Sequence, residues 1–121
     1  MFRQIILHPN DIIYHKILWR KNLKDTIKTY RLNKITYGTA CAPFLAVCCL
    51  QQLASNEAAL YPLAVNAIRN DFYMINLLTE TRTLDDAIKL REQLIGILKP
   101  DGFNLRQWAS NELSLIEGFT E

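Results

Sequence analysis

The sequence predicts a single-domain α+β fold, an antiparallel or mixed sheet with helices packed on one face. Three observations lead there. Runs of branched and aromatic residues crowd the first 38 positions, an apolar helical run follows Pro43, and a hairpin pattern then separates two further helical stretches. Strands and helices come in blocks rather than in strict alternation, which favours α+β over a parallel βαβ layout. The 121 residues correspond to one domain, half of them are hydrophobic, and a core is within reach. No repeat, low-complexity run or Gly/Ser linker marks a boundary.

Residues 3 to 7 read as a strand stopped by Pro9. Residues 12 to 20, "IIYHKILWR", alternate loosely and read as a second. A polar turn from Lys21 to Asp25 leads to a third, "TIKTYRLNKITYG", ending at Gly38. Pro43 suits the first turn of a helix, where its missing N–H costs nothing. The run "FLAVCCLQQLA" is apolar nearly all round, so that helix is expected to be buried.

A second helix is expected over 57–69, with Pro62 near its start and Leu60, Leu63, Ala64, Ala67 and Ile68 on one side. "NDFYMINLL" then reads as strand, tight turn and strand, with Tyr73-Met74-Ile75-Asn76 at the tip. Thr83 followed by Asp86 has the spacing of a capping box. Leu84, Ala87, Ile88, Leu94, Ile95 and Leu98 form the stripe of a third helix, which Pro100 and Gly102 end. Residues 103–109, "FNLRQWA", alternate as a last strand.

Fourteen basic against twelve acidic residues leave a net charge of +2, too little to indicate nucleic acid by itself. The distribution is uneven: Lys16, Arg20, Lys21, Lys24, Lys28, Arg31 and Lys34 share their stretch with one acid, Asp25. Such clustering suits a phosphate-facing surface, and also an ordinary solvated strand face. Cys41, Cys48 and Cys49 have no metal-site spacing with each other or with His8 and His15, and are read as small buried hydrophobes. No apolar run reaches the ~20 residues of a membrane span and no signal-peptide layout opens the chain, so no membrane partner and an intracellular location, cytoplasmic or nuclear, are expected.

Five stretches taken in order, "MFRQI…H", "WR", "TYRLNKITYGTACAPFLA…CLQQLA", "NDFYMINLL" and "GFNLRQWASN", resemble the reverse transcriptase of Pao/BEL-type LTR retrotransposons. The resemblance runs from Met1 to about Asn111. It implies the palm of an RNA-directed DNA polymerase with the end of the adjoining fingers, and hence a palm-like sheet. By that resemblance Phe2 stands where the family's aromatic packs under the deoxyribose and excludes a 2′-hydroxyl. Tyr37 and Gly38 belong to the block beside the templating pair, Pro43 opens its supporting helix, and Tyr73 begins the hairpin block. The family's first metal-binding aspartate would precede Met1.

The hairpin block in the family reads tyrosine, any residue, aspartate, aspartate, and here Ile75 and Asn76 take the place of both acids. In the last block Gln107 stands where a lysine is common. Intact members use two Mg²⁺ ions ~3.5–4 Å apart to clamp the attacking and leaving oxygens. Isoleucine has no oxygen to offer, and asparagine offers only a neutral one. Asp71 lies four residues before Ile75, ~13 Å along a strand, beyond ligand reach. No cofactor and no metal ligand are therefore expected for this chain, and no polymerase activity. The isoleucine itself is expected to be tolerated as a strand residue.

Two functional readings follow. One is a catalytically inactive part of a retrotransposon polyprotein, whose remainder would be its partner. The other is a non-catalytic module on a retained palm scaffold that binds protein or nucleic acid, weakly engaging primer–template. Lys16, Arg20, Lys28, Arg31 and Lys34, with Trp19, Tyr30 and Tyr37, are its candidate surface. A small α+β domain unrelated to polymerases is the remaining possibility.

Overall fold

The computed structural model describes residues 1–119. The described residues form a mixed α+β fold of three α-helices, two separate two-stranded antiparallel sheets and three short 3₁₀ turns. Helix α1 spans Ala42–Asn56, α2 Pro62–Asn70 and α3 Leu84–Leu98. Strands β1, Lys16–Trp19, and β2, Lys28–Arg31, form one ribbon, and β3, Phe72–Tyr73, and β4, Asn76–Leu77, form the hairpin between α2 and α3.

Helix α2 packs against both other helices. Leu50, Leu53 and Ala54 of α1, Ala64, Val65, Ala67 and Ile68 of α2, and Leu90, Leu94, Ile97 and Leu98 of α3 form one buried cluster. Full burial of each branched side chain stabilises by about 1.5–3 kcal/mol, so this cluster is the main source of stability. Ala64 and Ala67, two of the four buried residues of α2, let its neighbours approach closely. At Gly96 on α3 an added Cβ would lie 2.9 Å from the ring of Tyr61, so any side chain there requires that ring to shift.

A second cluster gathers Phe2, Ile5, Leu7, Ile35, Ala42 and Ala46. Met1 and Phe103 pack against both clusters and link them. The N-terminal segment is held by Leu7 N–H donating to the Asn33 carbonyl (2.9 Å) and Ile35 N–H to the Ile5 carbonyl (3.0 Å). Residues 3 to 7 are therefore not a regular strand: Phe2–Gln4 is a 3₁₀ turn, and Ile6 makes a single antiparallel bridge with Lys34. Residues 12 to 14 likewise form a 3₁₀ turn, so the second expected strand begins only at Lys16.

The helix boundaries follow local chemistry. Pro43 lies in the first turn of α1 and Pro62 opens α2, which starts five residues later than expected because Glu57 to Tyr61 turn on the Glu57 carbonyl. The Thr83 hydroxyl caps α3 by accepting from the Asp86 N–H at 3.2 Å. Beyond α3, Phe103 N–H reaches the Leu98 carbonyl and Gly102 N–H the Lys99 carbonyl, around Gly102 at φ +79°. That is a Schellman end, and it needs a residue that accepts positive φ.

Several expectations are corrected. The strands do not join in one sheet, because the ribbon and the hairpin share no ladder. Residues 103–109 form no strand: Gln107 sits at φ +57°, which interrupts any extended run, while Phe103 and Leu105 turn into the helical cluster. Helix α1 is covered on one side only, with Phe44, Val47 and Cys48 facing solvent. The cysteines are accordingly not all interior: Cys41 and Cys48 are exposed and Cys49 is half-buried. Leu60, Leu63 and Leu84 also lie outside the core. No helix among the described residues is long and apolar enough to cross a membrane.

Candidate functional site: the β3–β4 hairpin and the β1–β2 ribbon

The hairpin is a two-residue loop. Tyr73 pairs with Asn76 and Phe72 with Leu77, which places Met74 and Ile75 at the turn. Met74 has φ +56° and Ile75 does not share the positive sign, the pattern of a turn that favours glycine first. A side chain in that region costs about 1–2 kcal/mol. Phe72 and Leu77 pack on the helical cluster and hold the hairpin down, while Tyr73, Met74 and Ile75 face solvent. Ile75 is thus a turn residue rather than the strand residue expected from its β propensity.

Asp71 closes the base of the hairpin. Its carbonyl accepts from Leu78 N–H, and its carboxylate accepts from the Thr79 hydroxyl at 2.6 Å. The tip itself presents a phenol, a thioether, an alkyl group and an amide. Such a set does not fit Mg²⁺, which is held by carboxylates and substrate phosphates at ~2.0–2.1 Å. Among the described residues, no group of three or more His, Cys, Asp or Glu could hold a metal ion.

The nucleotide-binding positions suggested by resemblance divide between two places. Phe2 is buried in the N-terminal cluster, and Tyr37 meets it edge to face with ring centroids 5.2 Å apart. Gly38 follows at φ +81° with open space where a Cβ would stand. Phe2, Tyr37 and Gly38 therefore adjoin one another, whereas Tyr73 stands apart on the hairpin and faces solvent. Gln107, Trp108 and the C-terminal segment form a further feature: Trp108 lies 5.3 Å from Phe119, and Arg91 covers that ring while donating to the Leu115 carbonyl at 2.7 Å.

Every residue from Lys16 to Arg31 is exposed. The register pairs Lys16 with Arg31, Ile17 with Tyr30, Leu18 with Thr29 and Trp19 with Lys28. One face of the ribbon thus carries Ile17, Trp19, Lys28 and Tyr30, and the other Lys16, Leu18, Thr29 and Arg31. Trp19 and Tyr30 meet diagonally, centroids 6.0 Å apart at 72°. Arg20 continues from the end of β1 and is exposed, as is Lys34 opposite Ile6. An open depression of about 690 Å³ is framed by Lys21, Asn22, Leu23, Lys24 and Asp25 in the ribbon loop, and another of about 320 Å³ by Leu113, Ser114, Ile116 and Glu117. Both are open to solvent, unlike an enclosing small-molecule site.

Sequence reasoning did not single out Gln93 or Arg91. Gln93 Oε1 accepts from Leu63 N–H (2.9 Å) and Ala64 N–H (3.3 Å), capping α2 from α3. Nothing in the local sequence marks a cap supplied from thirty residues away.

Compared with family models, curated proteins and solved structures, the chain matches none.

Proposed function

We propose that this chain is part of the reverse-transcriptase domain of a Pao/BEL-type retrotransposon, its palm with the end of the fingers, and that it does not catalyse nucleotidyl transfer. The observation that supports this reading most is the hairpin between α2 and α3. A tight two-residue turn stands where the sequence blocks call for the metal-binding hairpin, and its tip carries Ile75 and Asn76 in place of two carboxylates. The order of the blocks and the helix opened near Pro43 agree with the same reading.

On this reading the scaffold outlived its chemistry. Two-metal transfer needs anionic oxygens to offset the cost of stripping water from Mg²⁺, and an amide and an alkyl group supply no charge. The hairpin folds without them because its stability comes from Phe72 and Leu77 against the helices.

Templated primer extension with Mg²⁺ tests inactivity: the purified chain is expected to extend nothing, and extension abolished by a chelator would overturn that part. Descent is tested by an experimental structure of the chain superposed on a polymerase palm. Helices α1 and α2 and the β3–β4 hairpin are expected to overlay together, and failure to do so would sink the family reading.

A further inference from the structure

We infer that residues 106–119 form a strap that lifts from α3 as a unit while the helical cluster stays folded, with the Arg91 guanidinium as its latch and Gln107 as its hinge. The device is independent of the palm reading, because it depends on contacts within the chain and not on its descent.

Three observations carry it. First, the strap is fastened at one place. Beyond Phe103 the backbone hydrogen bonds among the described residues are local: Leu115 N–H to the Glu112 carbonyl, Ile116 N–H to Leu113 and Phe119 N–H to Ile116. The side-chain bonds of Ser110, Glu112 and Ser114 also stay within the segment. The bond that joins it to the rest of the described molecule is Arg91 Nη1–H donating to the Leu115 carbonyl at 2.7 Å. The same guanidinium lies 5.2 Å from the centroid of the Phe119 ring, and that ring meets Trp108 at 5.3 Å. Trp108 and Phe119 thus tie the two ends of the strap to each other, and one cation holds the tied loop to α3. The 3₁₀ turn Leu113–Leu115 packs on α3 as well.

Second, the hinge is marked. Phe103 and Leu105 pack on the helical cluster, whereas no residue from Arg106 to Phe119 is fully buried. Between the anchored Leu105 and the tied Trp108 stands Gln107 at φ +57°, a left-handed conformation that a side chain holds only under constraint. Lifting the strap removes the constraint and lets Gln107 relax.

Third, the latch is imperfect. Arg91 Nε is buried and has no partner among the described residues. A buried N–H without an acceptor carries its desolvation cost, and opening returns water to it. The strain at Gln107 and the orphaned Nε oppose closure by amounts of the same order as the contacts that favour it, one guanidinium hydrogen bond, one cation–π contact and one aromatic pair. Closure is therefore near balance. The helical cluster, held by fully buried side chains, is not, and segments with few buried contacts open first.

The test is hydrogen exchange of the whole chain, read by mass spectrometry over residues 112–119 and over α3. Acrylamide quenching of Trp108 accompanies it in a Trp19→Phe background, which leaves one tryptophan. The parent strap is expected to be partly protected in both. Arg91→Ala is expected to speed exchange in the strap by at least roughly tenfold, as for the loss of a hydrogen bond from a charged donor, with α3 unchanged. Arg91→Lys should restore part of the protection, since an ammonium keeps a donor but loses the planar stack. Phe119→Ala, at a ring outside the core, should loosen the strap in the same way. Gln107→Gly should tighten it, because glycine accepts the hinge conformation. Strap amides that exchange freely in the parent, an Arg91→Ala variant that exchanges like the parent, or strap and α3 amides that speed up together in Phe119→Ala would each overturn the proposal.

Discussion

The ribbon and the three-helix cluster both carry large apolar side chains and meet opposite fates. The cluster buries Ile68 and Ala54 completely, while the ribbon leaves Leu18 72% exposed and Leu23 84% exposed. The difference lies in partners. Each helix presents a stripe to another helix, whereas β1 and β2 have only each other. A two-stranded ribbon in water is marginal by itself. Here it is anchored at its base, where Leu32 N–H donates to the His15 carbonyl and the following residues bridge to Ile5 and Leu7. Regular backbone bonding and burial are therefore separate achievements.

That contrast can be broken by substitution. Ile68→Ala, at a side chain wholly out of water, is expected to lower stability by about 2–5 kcal/mol in urea unfolding. Leu18→Ala on the ribbon should stay within about 0.5 kcal/mol of the parent. Equal losses at the two positions would mean that the ribbon belongs to the core after all.

Smaller effects sharpen the picture. Met74→Gly is expected to raise stability by roughly 1 kcal/mol, because glycine accepts the turn's positive φ without steric conflict. Thr83→Ala should cost about 1 kcal/mol by freeing the Asp86 amide, with Thr83→Ser restoring most of it.

The cysteines give the least disruptive probe. Burial, and then the neighbouring Cys48 thiolate, push the Cys49 thiol up from its ordinary value. Exposed Cys41 and Cys48 should react with iodoacetamide first and Cys49 last, as peptide mass mapping would read. The sign of the linked stability follows: a thiol raised on folding favours the fold while protonated. Its contribution is complete below the unfolded value and is lost as pH rises through the folded one. A Cys49→Ser variant should lose that alkaline decline.

Local signals were legible wherever a short-range rule decides. The Thr83 cap, the Pro43 helix start, the Gly102 end and the two-residue hairpin at Tyr73–Asn76 all stand where their residues indicated, whereas α2 starts five residues later than expected. Less was legible where two distant segments had to meet. Residues 3–7 and 103–109 both read as strands, yet neither becomes a regular one. The first finds a single bridge partner, and the second is interrupted at Gln107. The candidate cations were legible as a cluster, but their division between two ribbon faces was not, because it depends on the register that pairs Lys16 with Arg31.

By itself the sequence determined the α+β class, the ends of α3 and the start of α1, and the absence of carboxylates at the hairpin tip, since these depend on residues close along the chain. The tertiary structure decided that the strands form two sheets, that one side of α1 stays in solvent, that Gln93 caps α2, and that the Trp19 ribbon stands clear of the core. Hydrophobic burial is non-directional, so an apolar pattern states that a face seeks cover and leaves the choice of cover to packing.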